Sequence, residues 1–136
     1  MAGLIPITLA CFMAAAQTYD IPPKVLAAVM KTEGGKVGEY SVNTNKTRDL
    51  GPMQINDKVW VREIAVNLGS GNIQRTEDRL LNDGCFNVLA GAFILRDNID
   101  RSKGNILEGV GRYHSWTDKH RFRYEKVFLE NYKSIN

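Results

Sequence analysis

The segment from Gly84 to Ile99 constrains the fold more than any other part of the chain. Its most apolar positions recur every three or four residues, which is the period of one face of an α-helix. These positions are Cys85, Val88, Leu89, Ala92, Leu95 and Ile99. Before Arg96 the segment is apolar on nearly every side, and small residues from Ala90 to Ala92 occupy its middle. Such a helix is usually central, with others packed closely against its small residues, so a mainly helical domain is predicted.

The remaining apolar patterns predict five or six more helices around this one. They are residues 8–18, a segment from Pro22–Pro23 to Glu33, a segment capped by Asn56 or Asp57, a short helix capped by Thr76, a helix opened by the capping box Asn105-x-x-Glu108, and a last helix capped by Asp118. Residues 36–50 lack the helical period and predict a loop with at most a small β hairpin near Tyr40–Asn43. At 136 residues the chain predicts a single domain, 1–136, with its core at roughly residues 8–132.

The charge and the histidines exclude several classes of function. The chain has 18 Lys and Arg against 15 Asp and Glu, so its net charge is only +3. This charge suits an anionic polymer but is too small to indicate DNA binding, and the basic run Lys119–Arg123 is typical of a solvated helix face. His114 and His120 do not form a metal-ligand spacing with the cysteines, and no phosphate-binding glycine motif is present. We therefore expect no nucleic acid, no metal and no cofactor.

Glu33 lies where a carboxylate is hard to keep ionised. The helix predicted before it carries an apolar stripe of Val25, Leu26, Val29 and Met30. Glu33 continues this stripe by one step, and Gly34 and Gly35 then end the helix. Burial and the negative end of the helix dipole both disfavour the charged form, so both should raise the pKa of Glu33. An acid of this kind suits cleavage of a glycosidic bond near neutral pH, whereas the alternative is a simple solvated glutamate.

Three further motifs follow Glu33 in a characteristic order. Gly51-Pro52-Met53-Gln54 comes after a polar loop, Tyr113 lies at the centre of the segment Val110–Ser115, and Tyr124 lies in the last predicted helix. Together with Glu33 these motifs resemble those of the lytic transglycosylases. The match is closest to the small subgroup associated with type IV secretion, conjugation and related type III machines. The resemblance covers about residues 8–130 and implies a lysozyme-like fold, as in goose-type lysozymes and transglycosylases.

The resemblance implies that Glu33 is the single catalytic carboxylate. Glu33 would protonate the oxygen between N-acetylmuramic acid and N-acetylglucosamine, while the 2-acetamido group of the substrate stabilises the anomeric carbon. The ionised Glu33 would then take the proton of the 6-hydroxyl group, which closes onto that carbon and forms a 1,6-anhydro end. The reaction consumes no water and requires no metal.

The resemblance also implies a set of substrate contacts. Gln54 would hydrogen-bond the glycan, Met53 would pack against a sugar ring, and Tyr113 would hold Glu33 in position. Ser115 and Tyr124 are the other expected contacts. Asp49 has two readings, because it could be the second acid of a hydrolytic mechanism or could organise its own loop through local hydrogen bonds.

Cys11 and Cys85 fall where the resembling subgroup has a disulfide, which would indicate an oxidising compartment. The alternative is two buried free thiols. Residues 2–16 carry no charge, and Ala14–Ala16 resembles a signal-peptidase site, but cleavage there would discard Cys11. We therefore expect residues 8–18 to be the first helix of an exported, periplasmic protein, with its signal already removed and Met1 added for expression. No other segment approaches transmembrane length.

Taken together, the resemblance implies a monomeric enzyme that cleaves peptidoglycan strands and locally opens the wall for a secretion or conjugation apparatus, whose proteins would be its partners. Two alternatives remain. One is a hydrolytic muramidase, of phage origin for example. The other is a scaffold that binds the glycan without cleaving it. The products of digested peptidoglycan distinguish all three.

Overall fold

The computed structural model describes residues 3–136, which contain seven helices and three short strands. The helices are α1 Leu9–Thr18, α2 Pro23–Glu33, α3 Val61–Asn67, α4 Ile73–Asn82, α5 Gly84–Arg101, α6 Ile106–His114 and α7 Asp118–Ser134. The strands are β1 Tyr40–Val42, β2 Arg48–Leu50 and β3 Ile55–Asn56. The mainly helical class is confirmed. Among the helices of residues 3–136, none is long and apolar enough to cross a membrane.

The strands form one antiparallel sheet in the order β1-β2-β3. Tyr40 pairs with Leu50 across the first two strands, and Leu50 pairs with Ile55 across the last two. The hairpin near Tyr40 was predicted, but the third strand was not. It is only two residues long, and so short a segment carries no readable alternation of apolar and polar residues.

Three helix starts differ from the prediction. Asn56 lies in β3, and its side chain accepts from the N–H groups of Lys58 and Val59, so it organises the turn before α3. The cap of α4 is Asn72, whose side chain accepts from the N–H of Arg75. Thr76 lies buried within that helix.

The start of α7 is the third difference, whereas that of α6 agrees with the prediction. Helix α7 includes Asp118, and Thr117 occupies its cap position without a side-chain hydrogen bond. Asn105 does cap α6, because its side chain accepts from the N–H of Glu108 at 2.9 Å. A polar residue near a helix start therefore indicates the start, but not which residue caps it.

The chain forms two compact units. The first comprises the segment up to Phe12 together with Glu33–Gly91, and it contains the sheet, α3 and α4. Its largest fully buried side chains are Leu50, Met53, Ile55, Val61, Ile64, Leu80 and Val88. The second comprises Met13–Thr32 and Ala92–Asn136, and it contains α6 and α7. Its largest fully buried side chains are Leu26, Val29, Ile94, Leu95 and Ile99.

Glycines allow close packing within each unit, and the contact at Gly91 agrees with the prediction from the small residues in the middle of the Gly84–Ile99 pattern. In the first unit, a Cβ atom at Gly91 would lie 2.7 Å from carbons of the Met53 side chain. In the second unit, a Cβ atom at Gly109 would lie 2.6 Å from the Cα atom of Ile99, so α6 lies directly against the backbone of α5. A methyl group at either position would force these partners apart.

A disulfide and two backbone hydrogen bonds attach the segment before Phe12 to the rest of the first unit. Cys11 and Cys85 are bonded, with their Cα atoms 5.6 Å apart, so the predicted pairing is confirmed and neither cysteine is a free thiol. The N–H of Ile5 donates to the carbonyl of Asn82 at 2.9 Å, and the N–H of Gly84 donates to the carbonyl of Ile5 at 2.7 Å. The segment is thereby held at the junction of α4 and α5.

Candidate functional site

Glu33 is the last residue of α2, at the position that its apolar stripe and the following glycines predict. The stripe residues Val25, Leu26 and Val29 are buried, and Glu33 itself is half-buried. Gly34 ends the helix with a φ of 70°, a left-handed conformation that glycine adopts without a steric penalty. The local sequence therefore places a partly desolvated carboxylate at a sharp helix end.

The chain just beyond Glu33 lies against the segment Gly51–Gln54. A Cβ atom at Gly35 would overlap the carbonyl oxygen of Gly51 and lie 2.6 Å from Nε2 of Gln54. Only glycine allows this approach. Two motifs that are separated in sequence, the helix end at Glu33 and the Gly51–Gln54 segment, are thus brought together within the first unit.

Gln54 uses both ends of its side-chain amide within the protein. Its Oε1 accepts a hydrogen bond from the hydroxyl of Ser41 at 2.8 Å, and its Nε2 donates to the carbonyl of Gly51 at 3.0 Å. Its backbone is left-handed, with a φ of 52°, which is uncommon for a residue other than glycine. Local strain of this kind is kept only where surrounding contacts hold it, and it clusters at functional sites. Through these hydrogen bonds Gln54 stabilises the conformation of the segment. Its motif makes it a candidate ligand contact as well.

A buried asparagine fixes the Gly51–Gln54 segment from below. Asn87 of α5 is 0% exposed. Its Oδ1 accepts from the N–H of Met53 at 2.9 Å, while its Nδ2 donates to the carbonyl oxygens of Leu50 and Leu80 at 2.9 and 2.8 Å. A Cβ atom at Gly51 would lie 2.5 Å from Nδ2 of Asn87, so glycine is also required there.

Asn87 was not predicted as a site residue, although it is a polar residue in the most apolar stretch of the longest helix. A polar residue at such a position must be hydrogen-bonded when it is buried, and that requirement is the signal that could have identified it.

Met53 is fully buried, with 0% exposure, and packs against Gly91. A side chain with no exposed surface offers nothing for a sugar ring to pack against. Met53 instead stabilises the Gly51–Gln54 segment, and its N–H donates a hydrogen bond to Asn87. The sequence pattern identified Met53 through its motif but did not indicate which way the side chain points.

Asp49 lies in β2, half-buried, opposite Asn56 of β3. Its Oδ1 accepts a hydrogen bond from Nδ2 of Asn56 at 3.1 Å, and the same amide also donates to the hydroxyl of Thr47 at 2.9 Å. These bonds connect β3 to β2 and to Thr47, the residue that precedes β2. They support the local organising role among the two readings of Asp49.

Arg48 connects β2 to the turn before α3 and to the middle of α4 through two carboxylates. Its N–H and its Nε each donate to a carboxylate oxygen of Asp57 at 3.0 Å, and its guanidinium group also pairs with Glu77. Burial, with 7% of the side chain exposed, raises the pKa of Asp57. The hydrogen bonds and the positive charge of Arg48 together outweigh burial, so the pKa of Asp57 lies below its ordinary value. Asp57 therefore stays ionised and serves the fold.

The Tyr-centred motif lies in the second unit. Tyr113 is near the end of α6 and half-buried, while Tyr124 of α7 is only 7% exposed. The ring of Tyr124 stacks on that of His114, with centroids 4.8 Å apart and planes 6° from parallel. Ser115 follows α6, and its hydroxyl accepts from the N–H of Thr117 at 3.1 Å. Within residues 3–136, no group of three His, Cys, Asp or Glu side chains is arranged to hold a metal ion.

Comparison with known proteins covers nearly the whole chain. The family described as "Transglycosylase SLT domain" matches residues 10–135. The chain is 32% identical over 130 residues to a Salmonella typhimurium protein named Invasion protein IagB, a match that covers 92% of this chain and 76% of that protein. It is 29% identical over 132 residues to Protein IpgF of Shigella flexneri, with 92% and 80% covered. All these matches are long enough to include Glu33, the Gly51–Gln54 segment and the Tyr-centred motif.

Proposed function

The chain belongs to the transglycosylase SLT family, which has a lysozyme-like fold, and from this premise we propose that it is a peptidoglycan lytic transglycosylase whose catalytic residue is Glu33. One observation carries the proposal. The helix that ends at the half-buried Glu33 leads directly into a glycine contact with Gly51 and Gln54, the segment that the family motif associates with the glycan. A glutamate two residues before this contact, with the left-handed backbone of Gln54 in the facing segment, suits acid-base chemistry.

The proposed reaction uses one carboxyl group twice. Protonated Glu33 donates its proton to the glycosidic oxygen as the bond between N-acetylmuramic acid and N-acetylglucosamine breaks. The 2-acetamido oxygen stabilises the electron-poor anomeric carbon. Ionised Glu33 then accepts the proton of the 6-hydroxyl group, whose oxygen bonds to that carbon. Glu33 ends as it began, and the products are an anhydro end and a free N-acetylglucosamine hydroxyl group. Such a residue works best when its pKa lies near the operating pH.

The other predicted site residues take supporting roles in this proposal. The side-chain amide of Gln54 stabilises the conformation of the Gly51–Gln54 segment, which is proposed to face the glycan. The buried Met53 supports the same segment from the core. Tyr113, Ser115 and Tyr124 are proposed to contact the substrate or to position Glu33, as the resemblance implies. Asp49 is proposed to organise the sheet edge through Asn56 rather than to act as a second acid.

We place this activity in the periplasm, where it would open peptidoglycan locally for a secretion or conjugation apparatus. Two findings support the setting. The Cys11–Cys85 disulfide suits an oxidising compartment. One relative is named an invasion protein, and its match covers most of both chains. The apparatus proteins that would recruit this chain are its proposed partners.

The decisive experiment is digestion of purified sacculi, with the soluble products identified by mass spectrometry. The protein should release muropeptides with anhydro ends, and Glu33→Gln should abolish this release. Reducing ends would instead indicate a hydrolytic muramidase. Binding to sacculi without any release would indicate a glycan-binding scaffold.

The matched control is Glu63→Gln, which removes the same charge at an exposed position in the first turn of α3. It should cleave like the unmodified protein. Circular dichroism should show that both variants are folded. Retained cleavage by folded Glu33→Gln would remove the proposal.

A further inference from the structure

Trp116 is a large apolar side chain fixed at the surface. It lies between α6 and α7, within the second unit, and is 46% exposed. Its indole N–H donates to Oδ1 of Asn98 at 3.2 Å. Asn98 is only 2% exposed, and its Nδ2 donates to the carbonyl of Ile94 at 3.0 Å, so the acceptor cannot easily turn away. The ring is therefore held in one orientation with much of its apolar surface in water.

Two guanidinium groups lie over this ring. The Cζ atom of Arg112 is 4.1 Å from the ring centroid and that of Arg101 is 4.4 Å from it, both within the range of cation–π attraction. Arg112 is fixed in place: it forms an ion pair with Glu108 at 2.9 Å and donates to the hydroxyl of Ser102 at 3.1 Å. It has little freedom to bind anything else.

Arg101 is placed differently. Its side chain is 57% exposed, and the carboxylate of Asp97 is 3.8 Å away, which is beyond hydrogen-bond distance. An exposed guanidinium group of this kind presents N–H donors to solvent while its charge stays over the indole ring. A planar carboxylate can receive two parallel hydrogen bonds from such a group. Arg101 and Trp116 together offer one charged and one apolar contact, side by side.

We propose that Trp116 and Arg101 form a binding site for the peptide stems of peptidoglycan. The stems carry carboxylates for Arg101 and aliphatic carbons for the part of the indole that the two guanidinium groups leave exposed, and Arg112 supports the ring from its own fixed position. This inference rests on the proposed function, because it names a second part of the same polymer as a ligand.

The test follows the two indole N–H signals, of Trp60 and Trp116, by nuclear magnetic resonance in the Glu33→Gln protein, where no substrate is consumed. Trp116→Phe assigns the signals. The probes are the free tetrapeptide stem and glycan strands stripped of stems by an amidase. The Trp116 signal should shift saturably with the stem, and the Trp60 signal should stay in place. Arg101→Gln should weaken stem binding about tenfold, as expected for a lost charge-assisted pair.

The control is Arg123→Gln, which removes an equal charge from an exposed position of α7 and should leave stem affinity unchanged. Equal affinity in Arg101→Gln and the unmodified site, or a Trp116 shift only with stripped glycan, would overturn the proposal. The binding measurement needs no cleavage. A protein that binds stems but fails to cut sacculi would refute the proposed function and leave this inference standing.

Discussion

Replacing Asn87 by leucine tests whether one buried amide holds the Gly51–Gln54 segment. Leucine has the same branched shape and the same number of side-chain heavy atoms but no polar atom. The change leaves three backbone groups without their hydrogen-bond partner: the N–H of Met53 and the carbonyls of Leu50 and Leu80. All three bonds lie in the buried part of the first unit, where water cannot easily replace the lost partner.

The expected loss follows from these contacts. Each unmatched buried group costs about 1.5 kcal/mol, or about 4.5 kcal/mol for the three, within the range known for such groups. Burying the leucine side chain returns about 1.5 kcal/mol. The net loss of unfolding free energy is then about 3 kcal/mol, which corresponds to about 10 °C in Tm for a chain of this size.

The assay is urea and thermal unfolding followed by circular dichroism. Asn67→Leu is the control, because Asn67 is exposed and its loss should change the unfolding free energy by less than about 0.5 kcal/mol. Asn87→Asp gives a second test. Aspartate can still accept from Met53, but its charge faces two carbonyls, so this variant should gain stability as the pH falls and the carboxyl group becomes a donor.

An Asn87→Leu protein that unfolds within about 2 °C of the unmodified protein would refute the reasoning. It would mean that the segment relaxes and that its backbone groups find other partners. Sacculus cleavage measured on the same samples would then show whether the segment matters for activity independently of stability.

Two other substitutions test the site and its sheet. Gly35→Ala places a methyl group onto the carbonyl of Gly51, so sacculus cleavage should fall at least about tenfold, while Gly3→Ala, whose Cβ atom meets open space, should not lower cleavage comparably. Asp57 has a lowered pKa, so its stabilising effect is present above its unfolded pKa of about 3.9 and is lost as the pH falls through the folded value. Asp57→Asn should therefore lower the Tm at pH 7 and flatten its acid dependence, and an unchanged acid slope would contradict this assignment.

The sequence by itself determined the features that depend on residues close to one another along the chain. The helical period identified α5 and its small central residues, and the apolar stripe and two glycines placed Glu33 at the end of α2. The order and spacing of the motifs indicated the family. Each of these signals is local or is carried by the order of short motifs, so each can be read along the chain.

Tertiary structure alone decided how those features meet. Periodicity shows which face of a helix is apolar but not which backbone lies against it. Met53 was therefore expected at a sugar ring and lies buried on Gly91. Asn87 holds a segment 34 residues earlier in the chain, and such a hydrogen bond exists only after the two have been packed together. The same reason explains why the contact of Gly35 with Gly51 could not be predicted. A glycine in the sequence indicates a backbone free of side-chain atoms, and only the fold shows which group lies against it.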